Sequence, residues 1–342
     1  MAAVLVASMV WEAVAAPAGS LPLRRGERLL VVAPHPDDET LAAGGLVQRV
    51  IEKGGQVTIV LVTAGDGYTD AVIRESGSKT PSATDYVEYG RKRLHEARAA
   101  VGALSDKAVT LELLGFPDGG LAQLLRDHWD RSAPIRSKTT GASDPPYAEA
   151  VEPDVSYSGA DLRCELARVI RERSPTLIAL PDPKDRHPDH HAASIFTLLA
   201  LKDVELAPAP RVLAYLVHWP NWPPGWNSAT PLPRGEASLT YPPEVRNDTV
   251  ELRLTPAEIA RKARAVAAYA TQQRVMAPLL AAFVRGTEPF SVVRATKLEH
   301  IGALPPNAHA AACAPHGLRA QAQSPPPGGQ RTLPLRMGRP RS

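Results

Sequence analysis

Runs of β-branched residues and leucine alternate along this chain with segments of helical period, and this alternation restricts the fold more than any other feature. The apolar runs are RLLVVAP (28–34), QVTIVLVTAG (56–65), AVTLELLG (108–115) and TLIALP (176–181). A strand that is apolar along its whole length must be covered on both faces, as the strands of parallel sheets are. The sequence therefore predicts an α/β fold with a mainly parallel sheet flanked by helices on both faces.

Two later segments have the composition of further strands. RVLAYLVHW (211–219) and TVELRL (249–254) are predicted to extend the sheet at one edge. A last helix is predicted over 255–272, because Thr255 suits its cap position and Pro256 its first helical position.

Two stretches do not have the pattern of a packed core. Residues 126–160 have no period, and a loop of this length is typical of a lid or of a disordered segment. Residues 303–342 contain eight prolines and are predicted to form a disordered tail. The tail also carries five arginines and no acidic residue, so the rest of the chain is slightly acidic. The net charge of +3 is therefore no argument for a nucleic-acid partner.

The N-terminal segment, residues 1–27, has some features of a signal peptide. A short apolar stretch is followed by the small residues of AVAAPA, but no Lys or Arg precedes the apolar stretch and Glu12 interrupts it. We therefore expect a cytoplasmic protein, with export as the alternative. No later segment has eighteen uninterrupted apolar residues, so no membrane span is predicted.

A polar cluster follows the first predicted strand directly. In VVAPHPDDETLAAGG, the side chains of His35, Asp37, Asp38 and Glu39 occur within five positions. Ligands of open parallel sheets bind beyond the carboxyl ends of the strands, where this cluster lies. Imidazole and carboxylate are suitable ligands for Zn²⁺, and a catalytic zinc keeps three protein ligands. The alternative is a helix N-terminus whose acidic residues only interact with the helix dipole.

A second cluster of the same kind follows another predicted strand. PDPKDRHPDHHAAS (181–194) comes after the strand 176–181 and opens a helix. Two His/Asp clusters, far apart in sequence, are thus predicted at the same edge of one sheet. This coincidence favours a metal site over a simple helix cap.

The two motifs together carry a resemblance to a known family. PHPDDE with HPDHH resembles the PIG-L/LmbE-like zinc-dependent de-N-acetylases, and VTAGDG (62–67), LGFPDGGL (114–121) and KARAVAAYATQQ (262–273) agree with it. Pro34 stands where the family commonly has Ala. The resemblance implies a single Rossmann-like domain, here residues 28–302, that removes an acyl group from an amino sugar or its conjugate.

The resemblance also implies roles for individual residues. The metal ligands would be His35, Asp38 and His190, holding one Zn²⁺ per chain, with Fe²⁺ as the alternative metal. Asp37 would be the general base. His187 would stabilise the oxyanion or protonate the leaving amine, and Asp189 would orient it, although Asp189 is also a candidate helix cap.

Candidate substrate contacts lie in loops at the same edge of the sheet. Asp66 and Arg74 are predicted to bind sugar hydroxyls or a phosphate, and His218 is a further polar candidate. The tryptophans of YLVHWPNWPPGW (215–226) would either stack on a sugar or fill the core.

The predicted function is hydrolysis of an N-acyl group by attack of zinc-bound water, with N-acetyl as the first candidate for that group. The substrate would be a small N-acylated amino sugar or glycoconjugate, and no oligomeric state is predicted. Two alternatives remain at this point. One is a metal-dependent hydrolase of another bond, such as a phosphate ester, which commonly uses two metal ions. The other is a sugar-binding module without catalytic activity.

Overall fold

A single sheet runs through the part of the chain that the computed structural model describes, which is residues 19–227, 235, 237–245, 248–294 and 313. The predictions for the signal-like stretch and for the tail therefore lie outside the described residues, apart from 19–27 and Cys313. The strands are β1 (Arg28–Ala33), β2 (Gln56–Thr63), β3 (Thr110–Phe116), β4 (Leu177–Pro181), β5 (Arg211–Tyr215), β6 (Thr249–Arg253) and β7 (Thr287–Val293). The domain boundaries at 28 and 302 stay a prediction.

The order of the strands explains where a site can form. Across the sheet the order is β3-β2-β1-β4-β5-β7-β6, with β1 to β5 parallel and with β7 and β6 added antiparallel. The chain moves in one direction from β1 to β2 and in the opposite direction from β4 to β5. The order thus reverses between β1 and β4, and ligands of such sheets bind in the crevice at this reversal.

Helices cover both faces of the sheet, as predicted. Because crossover connections are right-handed, the helix after β1 and the helix after β4 must lie on opposite faces. The helices are α1 (Asp38–Glu52), α2 (Thr69–Ser76), α3 (Ala83–Leu104), α4 (Leu121–Arg126), α5 (Gly159–Arg173), α6 (Pro188–Lys202), α7 (Pro256–Ala267) and α8 (Ala270–Ala282). α1 packs with α3 and α7, whereas α6 packs with α4 and α5.

No described helix is both long and apolar enough to cross a membrane. The cytoplasmic location stays a prediction.

The C-terminal half of the fold differs from the expectation in two respects. β7 was not predicted, because Pro289 interrupts its pattern, yet β7 lies between β5 and β6. The helix predicted over 255–272 is two helices, α7 and α8, which meet at the buried residue Tyr269. The hydroxyl of Tyr269 hydrogen-bonds to Glu39 and Thr40, so the end of α7 is joined to the start of α1.

The long segment between α4 and α5 covers a sheet edge and is not the lid or disordered loop that was expected. The amide of Val151 donates to Leu113 O of β3 at 2.9 Å, and the Tyr157 hydroxyl donates to Gly115 O at 2.8 Å. Trp129, Tyr147 and Tyr157 are buried. An unpaired edge strand invites pairing with another chain, and this segment protects β3 from it.

Two glycines of α3 provide a matched test of this packing. A Cβ at Gly90 would lie 2.9 Å from Cζ of the buried Tyr147, whose hydroxyl donates to Asp66, whereas a Cβ at Gly102 meets nothing within 4 Å. We expect Gly90→Ala to lower the free energy of unfolding by about 1–3 kcal/mol through overpacking. Gly102→Ala should raise it by about 0.5–1 kcal/mol, because alanine restricts the unfolded chain. Urea denaturation of both variants measures the difference, and equal effects would contradict the described packing.

Candidate metal centre

The turn after β1 places its polar side chains by local hydrogen bonds. The amide of His35 donates to Asp38 Oδ2 at 2.9 Å, which closes a short turn just before α1 begins. Asp37 lies in this turn with φ +131° and ψ −32°. Residues other than glycine rarely adopt this backbone conformation. Its amide donates to Glu39 Oε2 at 3.1 Å, so Glu39 supports the turn. Strain of this kind is typical of functional positions.

Three potential ligand atoms meet where this turn faces the start of α6. His35 Nδ1 lies 3.3 Å from Asp38 Oδ2, and His190 Nε2 lies 3.2 Å from the same oxygen. The two nitrogens are 3.3 Å apart. Tetrahedral zinc with bonds of about 2.0–2.1 Å requires neighbouring ligand atoms to lie about 3.3–3.4 Å apart. His35, Asp38 and His190 therefore fit one metal ion, the set that the sequence predicted.

Carboxylates lie against the other nitrogen of each of these histidines. His35 Nε2 is 3.2 Å from Asp118 Oδ1 and 3.4 Å from Asp189 Oδ2, and His190 Nδ1 is 3.4 Å from Asp185 Oδ2. A carboxylate in this position fixes the orientation of a metal-binding imidazole and increases its basicity.

The same carboxylates control the protonation of both rings. Burial lowers the pKa of His190, but Asp38 and Asp185 outweigh burial and raise the pKa to about 9. Burial also opposes the protonation of His35, whose pKa is raised well above its ordinary value by Asp118 and its other carboxylate neighbours. The carboxylates around these two imidazoles favour positive charge at this position. A proton on each ring or one metal ion between the rings would supply it.

Asp37 faces the cavity beside the three ligand atoms and has a buried partner. Arg93 Nη2 is 3.1 Å from Asp37 Oδ2 and also donates to Pro36 O at 2.6 Å, while Arg93 Nη1 donates to Gly65 O at 2.8 Å. Burial raises the pKa of Asp37, whereas the positive charge of Arg93 lowers it. The nearby carboxylates of Asp38 and Glu39 raise the pKa further, to about 7.

Replacing Arg93 tests how much the free energy of unfolding depends on the pair of Arg93 and Asp37. Arg93 and Asp37 are only 4% and 6% exposed. Arg93→Met leaves a buried carboxylate and two carbonyls without their partner, so we expect the free energy of unfolding to fall by about 3–5 kcal/mol. Urea denaturation measures this loss. Arg91→Met, at an exposed position of the same helix, is the control and should change stability by less than about 0.5 kcal/mol.

His187 and His218 complete a group of four imidazoles. Ring nitrogens of His187 and of His218 lie within 4.8 Å of ligand atoms of His190. The Asp189 amide donates to His187 Nδ1 at 3.2 Å, so His187 is the N-cap of α6. Burial, together with His35 and His190, lowers the pKa of His187 to about 2, and burial with His190 lowers that of His218 to about 4. Both rings are therefore neutral here.

The position of Asp189 requires a correction. We expected its carboxylate to orient His187, or to cap α6, and neither contact is observed among the described residues. The carboxylate instead accepts from the amides of Gly119 at 2.7 Å and Leu121 at 3.0 Å, and it faces His35. Only the backbone of Asp189 contacts His187. The expectation that the Asp189 side chain orients His187 is therefore wrong for this arrangement.

Of the three predicted substrate contacts, only His218 lines the cavity. The cavity has a volume of about 350 Å³ and is lined by His218 but by neither Asp66 nor Arg74. Asp66 is buried behind the cavity wall, where it accepts from the Tyr147 hydroxyl. Arg74 is exposed on α2. A contact of either residue with substrate in this cavity is not supported.

The tryptophans after β5 serve the core and its rim. Trp222 is buried, donates from Nε1 to Thr240 O at 2.9 Å and packs edge-on against Phe283. Trp219 is partly exposed and lies under the guanidinium of Arg186 at 4.7 Å.

Three residues that contact the candidate ligands or the base had no assigned role in the sequence. Asp118 follows β3 in FPDGG, so its position after a third strand was an available signal. Asp185 lies inside the second His/Asp cluster, and its carboxylate accepts from the amides of His187, Val217 and His218. Arg93 lies inside α3 among other arginines, and nothing in the sequence distinguishes it from them.

A comparison with protein families matches half of the chain. The family model described as PIG-L, GlcNAc-PI de-N-acetylase, matches residues 30–201, which include both His/Asp clusters. A 1D-myo-inositol 2-acetamido-2-deoxy-alpha-D-glucopyranoside deacetylase of Tsukamurella paurometabola is 31% identical over 176 residues, 51% of this chain and 54% of that protein. A diacetylchitobiose deacetylase of Thermococcus kodakarensis is 25% identical over 194 residues, 56% of this chain and 54% of that protein. The chain thus spans about half the length of the curated relatives it matches.

Solved structures with a related arrangement are more distant. The N,N'-diacetylchitobiose deacetylase of Pyrococcus horikoshii aligns with a TM-score of 0.48 and 15% identity, covering 79% of this chain and 84% of that one. A conserved protein of Thermus thermophilus aligns with a TM-score of 0.46 and 25% identity, covering 78% of this chain and 95% of that one.

Proposed function

The chain belongs to the PIG-L family of GlcNAc-PI de-N-acetylases, and from this premise we propose that it is a metal-dependent hydrolase of an N-acyl group on an amino sugar. The single observation that carries the proposal is the triangle of ligand atoms from His35, Asp38 and His190, with sides of 3.2–3.3 Å. Two of the three residues, His35 and Asp38, line a cavity together with Asp37, whose backbone is strained, and His190 is buried behind them.

These three residues would hold one Zn²⁺. When bound there, the ion would polarise the carbonyl of the amide and lower the pKa of water, which an unreactive amide requires. Two nitrogens and one carboxylate also suit Fe²⁺. We propose zinc because hydrolysis needs a Lewis acid and no redox change.

Asp37 would be the general base. Its carboxylate lies on the cavity wall, next to the candidate ligands, and its pKa of about 7 suits a group that accepts a proton near neutral pH. The donation from Arg93 to Oδ2 fixes the direction of the carboxylate.

His187 would donate a hydrogen bond to the oxygen that becomes negative during the attack. Its Nδ1 already accepts from the Asp189 amide, so the proton of the neutral ring resides on Nε2. A neutral imidazole donor needs no protonation step before it acts. In this proposal Asp189 holds His35 and the start of α4, and it affects the reaction only through them.

The names of the relatives support a proposal for the substrate class. Those reported above are named as deacetylases of an inositol acetamido-glucoside and of diacetylchitobiose. We propose that the reacting group here is likewise the N-acetyl group of an amino sugar, either small or part of a glycoconjugate.

Acetate release from a panel of N-acetylated amino sugars tests the proposed function. Purified protein loaded with one equivalent of Zn²⁺ should release acetate from at least one member. Dialysis against a chelator should reduce the rate to the background level, and added Zn²⁺ should restore it. Release that is insensitive to metal removal would contradict the proposed mechanism. Hydrolysis of phosphate esters without any acetate release would favour the alternative bond.

A further inference from the structure

A second cavity lies beside His187. Its volume is about 590 Å³. Its wall includes the end of α4, the loop after β4 and the segment after β5. We call it the basic groove and define it by six of its residues: Arg126, Lys184, Arg186, His191, Trp219 and Glu244.

The two cavities share one residue. His187 lines both the basic groove and the cavity of the metal centre. Both cavities therefore reach the same side chain and are neighbours on the protein. The volume of the groove lies within the range of small-molecule sites and leaves room for more than the reacting group.

The side chains of the basic groove carry an excess of positive charge. Arg126, Lys184 and Arg186 are cationic, and among the six residues that define the groove only Glu244 opposes them. The carboxylate of Asp185 also borders the groove, but backbone amides and His190 already engage it.

The two arginines of the basic groove differ in their contacts with neighbouring side chains. Arg126 is 3.8 Å from Asp127, but both side chains are mostly exposed, so this pair is weak. The Arg186 guanidinium has no ion-pair partner among the residues that the structure describes. It lies over the ring of Trp219 at 4.7 Å, a contact that restricts where the guanidinium can be.

We propose that the basic groove binds an anionic, phosphate-bearing part of the substrate whose N-acylated sugar occupies the metal centre. The proposal rests on the proposed function for the identity of the sugar. The guanidinium of Arg186 presents a planar set of donors that matches phosphate. The two further cations of the groove complement the double negative charge of a phosphate group.

Binding of two deacylated sugars tests the groove without any turnover. Glucosamine 1-phosphate and methyl α-glucosaminide both lack an acyl group, and they differ in the phosphate. Isothermal titration calorimetry with the zinc-loaded protein should give a dissociation constant at least tenfold lower for the phosphorylated sugar. Arg186→Ala should remove most of this preference, and Arg126→Ala should reduce it further. Arg98→Ala, at an exposed position of α3 outside both cavities, should leave the preference unchanged.

Each outcome decides the proposal. Equal binding of the two sugars, or a preference that persists in the Arg186→Ala variant, would overturn it. Inorganic phosphate that binds as tightly as the sugar phosphate would also overturn it, because the sugar would then contribute nothing. A preference that depends on Arg186 supports the groove even if no acetate is released from any N-acetyl sugar. In that case it is the proposed function, tested separately by acetate release, that fails.

Discussion

Asp37→Asn is expected to reduce kcat/KM for acetate release by about 10²–10⁴-fold, which is the usual contribution of a general base. Asparagine keeps an oxygen that can accept from Arg93, and it tolerates a positive φ about as well as aspartate does. The variant should therefore retain the turn at φ +131°. What it loses is the ability to accept a proton. Steady-state kinetics on the best substrate of the panel measures the loss.

The control for this variant is another aspartate-to-asparagine change with the same change of charge. Asp70 is exposed in the first turn of α2, so Asp70→Asn should retain full kcat/KM. Metal content and the urea midpoint must be measured for both proteins. An Asp37→Asn protein that is folded, contains one zinc and retains full activity would exclude Asp37 as the base.

His190→Ala is expected to weaken zinc binding by more than about 100-fold and to abolish activity. The change removes one of the three proposed ligands, and even residues behind the ligands of a metal commonly contribute 10–100-fold to its affinity. It also removes the imidazole that Asp38 and Asp185 face. Competition with a chromophoric chelator measures the affinity, and the wild-type protein should bind one equivalent per chain.

His95→Ala is the matched control for the metal measurement, since His95 is exposed on α3 and lies away from the cluster. Its zinc affinity should equal that of the wild type. If His190→Ala also bound zinc with wild-type affinity, the proposed ligand set would be incorrect. A stoichiometry near two ions per chain would instead favour the phosphate-ester alternative, because two-metal sites are common in such enzymes.

The two His/Asp clusters of the candidate metal centre were predictable from short-range patterns, and the choice of His35, Asp38 and His190 within them came from the resemblance to the family. His35 and Asp38 are three residues apart in one turn, and that turn follows a buried strand. His190 begins a helix after another buried strand, β4. Once both strands are assigned to one parallel sheet, their carboxyl ends must meet at the same edge, and β1 and β4 are indeed neighbours. The pattern therefore specified which residues could meet.

The surroundings of the centre were less predictable, because they depend on contacts between distant residues. The side chain of Asp189 could face His187 or the turn after β3, and only the packing of α4 against α6 brings Gly119 and Leu121 within its reach. In the same way β7 carries a proline and has no clear strand pattern, but β5 and β6 leave a place for it between them.

By itself the sequence determined the alternation of strands and helices, the edge of the sheet that carries the site, and the two His/Asp clusters at that edge. Periodicity and local turns encode these features, and they act over a few residues. The tertiary structure decided which imidazole nitrogen would face an ion, which carboxylate lies behind each ring, and that Arg93 is the partner of Asp37 across 56 positions of the chain. Such contacts depend on how α3 packs against the sheet, and no local pattern of side chains specifies that packing.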